Sequence, residues 1–292
     1  MNNHRSWQAA LLIALSLALP GSLYGAKPET YVGVWRNGQG NGAQWTKPAL
    51  EWNDFAKADK AFFDQGLRLV GVSAYMDWSK NAPKYVGTWR NDLGTGAQWT
   101  NPAASWAEFS QINQGRLNEG LRLVSISVFN RSGQPAYVGV WRPGSGAQHS
   151  TPAVEWTAFT QLDKSYFDQG LRLVSISATY DVQGRIVYSA VWRGGQGNGA
   201  QWTQPAQDWG SFAKADKAFF DQGLRLAAIS VLYQHGKPLY VGTWRNGLGN
   251  GAQWINPTTN WSSWTVQDKG YFDKGLRLVG IAVAQDASVP ID

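Results

Sequence analysis

The sequence predicts a mixed α+β tandem-repeat domain. It has five units of β-hairpin, Gly-rich turn and one helix, forming a curved array or a closed propeller-like ring. Three observations predict this. The motif Tyr-Val-Gly-Val-Trp-Arg, or a near copy, begins at Tyr31, Tyr85, Tyr137, Tyr188 and Tyr240, at intervals of 54, 52, 51 and 52 residues. Each copy leads into a glycine turn that ends in Ala-Gln-aromatic: Gln44-Trp45, Gln98-Trp99, Gln148-His149, Gln201-Trp202 and Gln253-Trp254. Each turn is followed by Pro, a stretch with helical spacing, Gly-Leu-Arg-Leu and a second apolar strand. Self-similarity at a fixed interval marks repeat architectures, in which no unit buries its apolar face alone. The units are 31–84, 85–136, 137–187, 188–239 and 240–284 of a single repeat domain, 27–292.

Each element has a local cause. The leading strand carries a small residue (Gly33, Gly87, Gly139, Ala190, Gly242) between its Tyr and its Trp. Pro48, Pro102, Pro152, Pro205 and Pro257 are expected to stop any ladder and set up the helix. In unit 1, Trp52, Phe55, Phe62 and Phe63 recur at helical spacing. Gly66 then closes the helix, as do Gly120, Gly170, Gly223 and Gly275, because glycine accepts the left-handed conformation a C-terminal cap needs. Unit 2 has the weakest helical pattern. The trailing strand alternates with period two. In unit 2 one face reads Arg122, Val124, Ile126, Val128 and the other Leu121, Leu123, Ser125, Ser127, Phe129. The small residues leave room for the unit's own helix or an aromatic side chain, so the sheet is expected to be buried on both faces. Ser132-Gly133, Gln183-Gly184 and His235-Gly236 mark hairpin turns into the next leading strand. Tyr31 begins mid-hairpin and Val279–Val283 ends mid-hairpin, so the two ends are able to pair, which favours closure over an open arc.

Composition narrows the class. Among 292 residues there are 17 Trp and 33 Gly, with 43% hydrophobic and only 16% charged residues. The absence of Cys excludes disulfides, Cys-ligated metal and a thiol nucleophile. A formal charge of +6 without a Lys/Arg run argues against nucleic acid. Arg5 and the apolar run Ala9–Leu19 read as a signal peptide over 1–26, cleaved after Gly25 or Ala26. The run is too short to span a bilayer. The expected location is secreted or periplasmic, with no membrane span after cleavage.

Chemistry-bearing motifs are few. Ser211-Phe212-Ala213-Lys214 spells the Ser-x-x-Lys of serine β-lactamases, but no Ser-Asp-Asn or Lys-Thr-Gly partner accompanies it. The glycine turns lack the Gly-Lys-Ser/Thr ending of a phosphate loop. His149 and His235 make neither a triad nor a zinc site, so no metal and no cofactor are expected. Ten of the 14 Arg fall in two columns: Arg36, Arg90, Arg142, Arg193, Arg245 after the strand Trp, and Arg68, Arg122, Arg172, Arg225, Arg277 in Gly-Leu-Arg-Leu. They form either a ring of cations for an anion or a structural set that stacks on Trp and pairs with Asp59, Asp163, Asp216 and Asp268. The structural reading is preferred. Of the three Trp columns, the strand column (Trp35, Trp89, Trp141, Trp192, Trp244) and the helix column (Trp52, Trp106, Trp156, Trp209, Trp261) are core. The turn column, Trp45, Trp99, Trp202 and Trp254 with His149, is the candidate site. A flat aromatic beside the amide of Gln44, Gln98, Gln148, Gln201 or Gln253 suits a sugar ring or extended peptide; anchoring of the loop is the equal alternative.

The run Tyr137–Gln148, and above all VWRPGSGAQ (140–148) and FDQGLRLVSIS (167–177), resembles the polyglycine hydrolase-like structural repeat. This tandem repeat occurs in bacterial secreted proteins and in the amino-terminal half of fungal polyglycine hydrolases. In those hydrolases a separate serine β-lactamase-like domain carries the chemistry. The resemblance implies an auxiliary or recognition role, and about eight residues follow the last repeat here. The expected function is a secreted, non-catalytic protein that binds a polysaccharide or a glycine-rich peptide polymer through its Trp/Gln turns. The alternatives are a hydrolase related to polyglycine endopeptidases, and an assembly protein with another envelope protein as partner.

Overall fold

The computed structural model describes residues 29–286. The expected signal peptide lies outside them. The chain runs β1 (Glu29–Arg36), β2 (Gln44–Leu50), α1 (Trp52–Asp64), β3 (Arg68–Asp77), β4 (Ala82–Arg90), β5 (Trp99–Ala103), α2 (Trp106–Asn118) and β6 (Leu121–Arg131). It continues with β7 (Gln134–Pro143), β8 (Gln148–Ser150), β9 (Val154–Glu155), α3 (Trp156–Asp168), β10 (Arg172–Tyr180), β11 (Ile186–Arg193) and β12 (Gln201–Gln207). The last elements are α4 (Trp209–Asp221), β13 (Arg225–Gln234), β14 (Lys237–Arg245), β15 (Gln253–Thr258), α5 (Trp261–Asp273) and β16 (Arg277–Gln285). Every helix has 13 residues and starts at its Trp, including α2 with its weak pattern. The capping glycines have φ between 77° and 83°. Gly66 N–H donates to Phe63 O and Leu67 N–H to Phe62 O, each at 2.9 Å, which pairs the last carbonyls as a Schellman motif requires.

The expected hairpins form. Each trailing strand pairs antiparallel with the next leading strand: β3 with β4, β6 with β7, β10 with β11, β13 with β14. Ser132-Gly133 and His235-Gly236 turn with both φ positive, the type I′ geometry that matches strand twist. The two ends of the array also pair. β1 lies against β16, with Glu29 opposite Gln285 and Tyr31 opposite Val283.

A third strand enters each sheet, and this corrects the reading of two of the prolines. The sheets run β2-β4-β3, β5-β7-β6, β12-β14-β13 and β15-β1-β16, with β8 and β9 beside β11 and β10 in the remaining one. Pro102 sits opposite Val138 and Pro257 opposite Val32, inside the ladder. The strands carrying them are sheet edges, where a missing N–H leaves no partner unsatisfied. The expectation holds at the other three: Pro48 and Pro205 fall where the register shifts, between Lys47 and Leu50 and between Gln204 and Gln207, and Pro152 separates β8 from β9.

The period-two reading of the trailing strand also needs correction. In every sheet the register shifts after the second Leu or its equivalent, as between Leu123 and Ser125. The extra residue is a β-bulge, and it returns the next apolar residues to the side they would have left. Leu121, Leu123, Ile126 and Val128 therefore share one core with Phe109 and Trp141. Ser125 and Ser127 face the neighbouring unit, not their own helix. Val72 and Ala74 N–H donate to their hydroxyls at 3.3 and 2.9 Å. The leading-strand glycines do make room for aromatics as expected: a Cβ on Gly242 would lie 2.6 Å from Trp244 and 2.8 Å from Phe212.

Each core is shared between units, so the sheets are buried on both faces. The α1 side of the first sheet packs on Val138 and Val140 of the second, and the α5 side of the β1 sheet packs on Val86 of β4. The trailing strands follow one another, β3 beside β6, β6 beside β10, β10 beside β13, β13 beside β16, and β16 beside β3. Ser hydroxyls bridge them: Ile126 N–H to Ser175, Val128 to Ser177, Ala178 to Ser230, and Val283 to Ser73 at 2.9 Å. Residues of all five trailing strands line one narrow cavity of about 70 Å³.

Candidate functional site

The turn aromatics are placed by a latch that repeats around the molecule. A helix carboxylate accepts from the strand Trp and from the turn Gln of the next unit. Asp59 Oδ1 takes Trp89 Nε1–H and Gln98 Nε2–H, both at 2.7 Å, while Oδ2 takes Thr100 Oγ1–H at 3.0 Å. Asp163 does the same for Trp192, Gln201 and Thr203. Asp216 holds Trp244 and Gln253. Asp268 holds Trp35 and Gln44, so the junction of the last unit with the first uses the same latch. In the second unit Asn113 stands in for the Asp, holding Trp141 and Gln148. The other end of each Gln amide accepts a backbone N–H: Leu278 to Gln44, Leu69 to Gln98, Leu123 to Gln148, Leu173 to Gln201 and Leu226 to Gln253. The five Gln side chains are thus engaged at both ends by the frame, and their part in the site is to hold the turn.

Beside each Gln, the aromatic points out of the edge strand. It rests on the eleventh residue of its own helix. Trp45 stacks on Phe62 (6.2 Å, 19°), His149 on Tyr166 (4.5 Å, 16°), Trp202 on Phe219 (6.2 Å, 17°) and Trp254 on Tyr271 (5.9 Å, 22°). In the second unit the guanidinium of Arg116 lies 3.9 Å from the Trp99 ring. Despite this backing the four Trp stay 46–55% exposed, against 0% for every strand Trp. Anchoring and presentation therefore coexist: one ring face is fixed and much of the rest lies in water. The backing residue was absent from the sequence reading of the site. Its signal is an aromatic or Arg ten residues after each helix Trp.

Burial raises the pKa of Asp59, Asp163, Asp216 and Asp268 above the ordinary carboxyl value, and the Trp and Gln donors, with a Thr at all but Asp216 and the Arg225 charge there, pull it part of the way back. A raised folded pKa means the folded state holds its proton more tightly than the unfolded chain. Its contribution is complete below the unfolded pKa of about 3.9 and is lost as pH rises through the folded value. Asn113 shows that an amide fits the latch. Asp163→Asn is therefore expected to gain stability relative to the native chain as pH rises from about 4 to 7. Urea midpoints across that range measure it; a difference independent of pH would contradict the assignment.

The remaining candidates take structural roles. Four of the five Gly-Leu-Arg-Leu arginines stack on Phe, not on Trp, and all five donate to carbonyls. Arg68 lies 3.8 Å from the Phe63 ring, Arg172 3.9 Å from Phe167, Arg225 3.8 Å from Phe220 and Arg277 4.0 Å from Phe272. Their Nε–H groups reach the carbonyls of Gly96, Gly199, Gly251 and Gly42 in the next glycine turn. The expected pairing of arginine with the helix Asp is replaced by the Trp latch. Ser211 donates its hydroxyl to Asp208 at 2.8 Å, and Asp208 caps α4 through Ser211 N–H. Ser211 therefore serves a helix cap. Among the described residues no cluster of His, Asp and Glu fits a metal ion, and no helix is long and apolar enough to cross a membrane.

A search of curated proteins gives no match to this sequence. The family model described as "Polyglycine hydrolase-like, structural repeat" matches residues 49–92, 103–143 and 154–193. Each match runs from the end of an edge strand through the helix and the hairpin to the leading-strand Arg or just beyond it, so the matched repeat covers one helix and the hairpin after it. Three of the five repeats of this chain thus match the polyglycine hydrolase-like structural repeat.

Proposed function

We propose that this chain is an exported, non-catalytic binding protein for a polymer, a glycan or a glycine-rich peptide, held by the turn aromatics of a closed, propeller-like ring. The observation that carries the reading is the row of four half-exposed Trp, each with one face fixed on a helix side chain. Leaving so much indole in water costs stability that burial would recover, and a rigid flat ring is a ready surface for a sugar face or a peptide backbone. Closure is supported by the β1–β16 pairing and by the Asp268 latch on Trp35 and Gln44. Export is supported by the Arg5 and Ala9–Leu19 pattern. Several weak platforms on one frame gain about 10²–10⁴ in avidity on a long ligand without a tight single site.

The test is co-sedimentation with insoluble polysaccharides and binding to oligoglycine. Replacement of Trp45, Trp99, Trp202 and Trp254 by Ala is expected to lower retention by at least about tenfold while the far-ultraviolet spectrum stays native. Equal retention by both proteins would reject the platforms.

A further inference from the structure

Ten arginines stand in opposed pairs across the hairpins, Arg36 facing Arg277, Arg90 facing Arg68, Arg142 facing Arg122, Arg193 facing Arg172 and Arg245 facing Arg225. The second member of each pair is occupied by carbonyls of the glycine turns, as above. The first members are treated unequally. Arg90 forms a two-pronged ion pair with Asp92: Nε–H donates to Oδ1 at 2.9 Å and Nη2–H to Oδ2. Two residues after the equivalent Arg, the other repeats carry Gly38, Gly144, Gly195 and Gly247. Without that carboxylate, the Nε atoms of Arg36, Arg193 and Arg245 are shut off from water with no partner, and so is Nη1 of Arg245. Arg245 is only 5% exposed. It lines an open pocket of about 580 Å³ walled by the glycine turn 195–199 and by Asn246, Gly247 and Leu248. A buried guanidinium with unmade hydrogen bonds is costly, and the cost is removed by an acceptor that matches its fork.

We propose that the pocket over Arg245 binds an oxyanion with two oxygens on one atom, a carboxylate or a phosphate group. That group takes the place against Arg245 that the Asp92 carboxylate holds against Arg90. Arg36 and Arg193 offer the same unpartnered Nε at two further junctions. Burial first, and then neighbouring arginines, hold Arg36 and Arg245 down to about 10, and an anion relieves both penalties. The site uses none of the turn Trp, so it stands or falls apart from polymer binding.

The experiment is thermal unfolding of the full chain in chloride, acetate or inorganic phosphate at equal ionic strength. The anions are kept at about 5 mM, below the range in which excluded salts stabilise proteins generally. Acetate or phosphate is expected to raise the midpoint by about 2–6 °C over chloride, and the more effective of the two identifies the group. Arg245→Gln should shrink that rise. Asp92→Gly, which gives Arg90 the glycine found in the other repeats, should lower the midpoint in chloride and enlarge the rise. Equal midpoints in all three salts, or a rise unchanged in Asp92→Gly, overturns the proposal even where Arg245→Gln fails to fold.

Discussion

Removal of β1 is expected to leave a chain with no cooperative unfolding transition. β1 is the central strand of the β15-β1-β16 sheet, and Tyr31, Val32, Val34 and Trp35 are each at most 2% exposed. Losing one such side chain typically costs about 2–5 kcal/mol, and four together, about 8–20 kcal/mol, are as large as the whole stability of about 5–15 kcal/mol that keeps a domain folded. The loss also strips Asp268 of its Trp35 donor. The companion result separates position from mere presence. A permuted chain that begins at residue 37 and ends Gln285-Ser-Gly-Glu29…Arg36 copies the two-residue turn of Arg131-Ser132-Gly133-Gln134, because Glu29 already faces Gln285 as Gln134 faces Arg131. Its thermal midpoint should fall within a few degrees of the native one. A truncated chain that melts cooperatively near the native midpoint would show that β1 is dispensable.

Trp244→Ala is expected to destabilise by about 3–5 kcal/mol through the cavity alone. The ring is fully buried, 5.2 Å from Phe212 and 4.9 Å from Phe219. Its Nε1–H is also a donor to a buried carboxylate, Asp216, at 2.7 Å. Trp244→Phe keeps most of the ring contacts and removes the donor, so it isolates the hydrogen bond at about 1.5–3 kcal/mol. Trp202→Ala, on the exposed column, should cost only about 0.5–1.5 kcal/mol, the worth of its stack on Phe219. Urea titration followed by circular dichroism ranks the three. Equal costs for Trp244 and Trp202 would erase the distinction between frame and platform.

Much of the fold is legible because each unit states it again. Helix length, the capping glycines, the hairpins and the pairing of the two ends all follow from periodicity and turn chemistry. The third strand was hidden because Gln44–Leu50 is short, half-exposed and carries a Pro, all features of a sheet edge that mimic a loop. The bulge was hidden because both sides of the trailing strand are small or apolar, so one extra residue leaves the alternation readable either way. At the candidate site the exposed Trp column was legible from its place beside the glycine turns. The work of the glutamines was not: the groups that Gln98 and Gln201 hold lie 28 to 39 residues earlier in the chain. Asp92 likewise looks like an ordinary turn residue until its carboxylate is seen on Arg90.

The most direct measurement is a tryptophan-fluorescence titration of residues 27–292 with chitin oligomers, cell-wall glycans and oligoglycines of increasing length. A saturable shift is expected with at least one of these series. Short members should bind weakly, and members long enough to reach a second platform should bind at least about 10²-fold more tightly. The shift should vanish when Trp45, Trp99, Trp202 and Trp254 are Ala. No shift with any length, or a shift that survives those four substitutions, would contradict polymer binding by the turn aromatics.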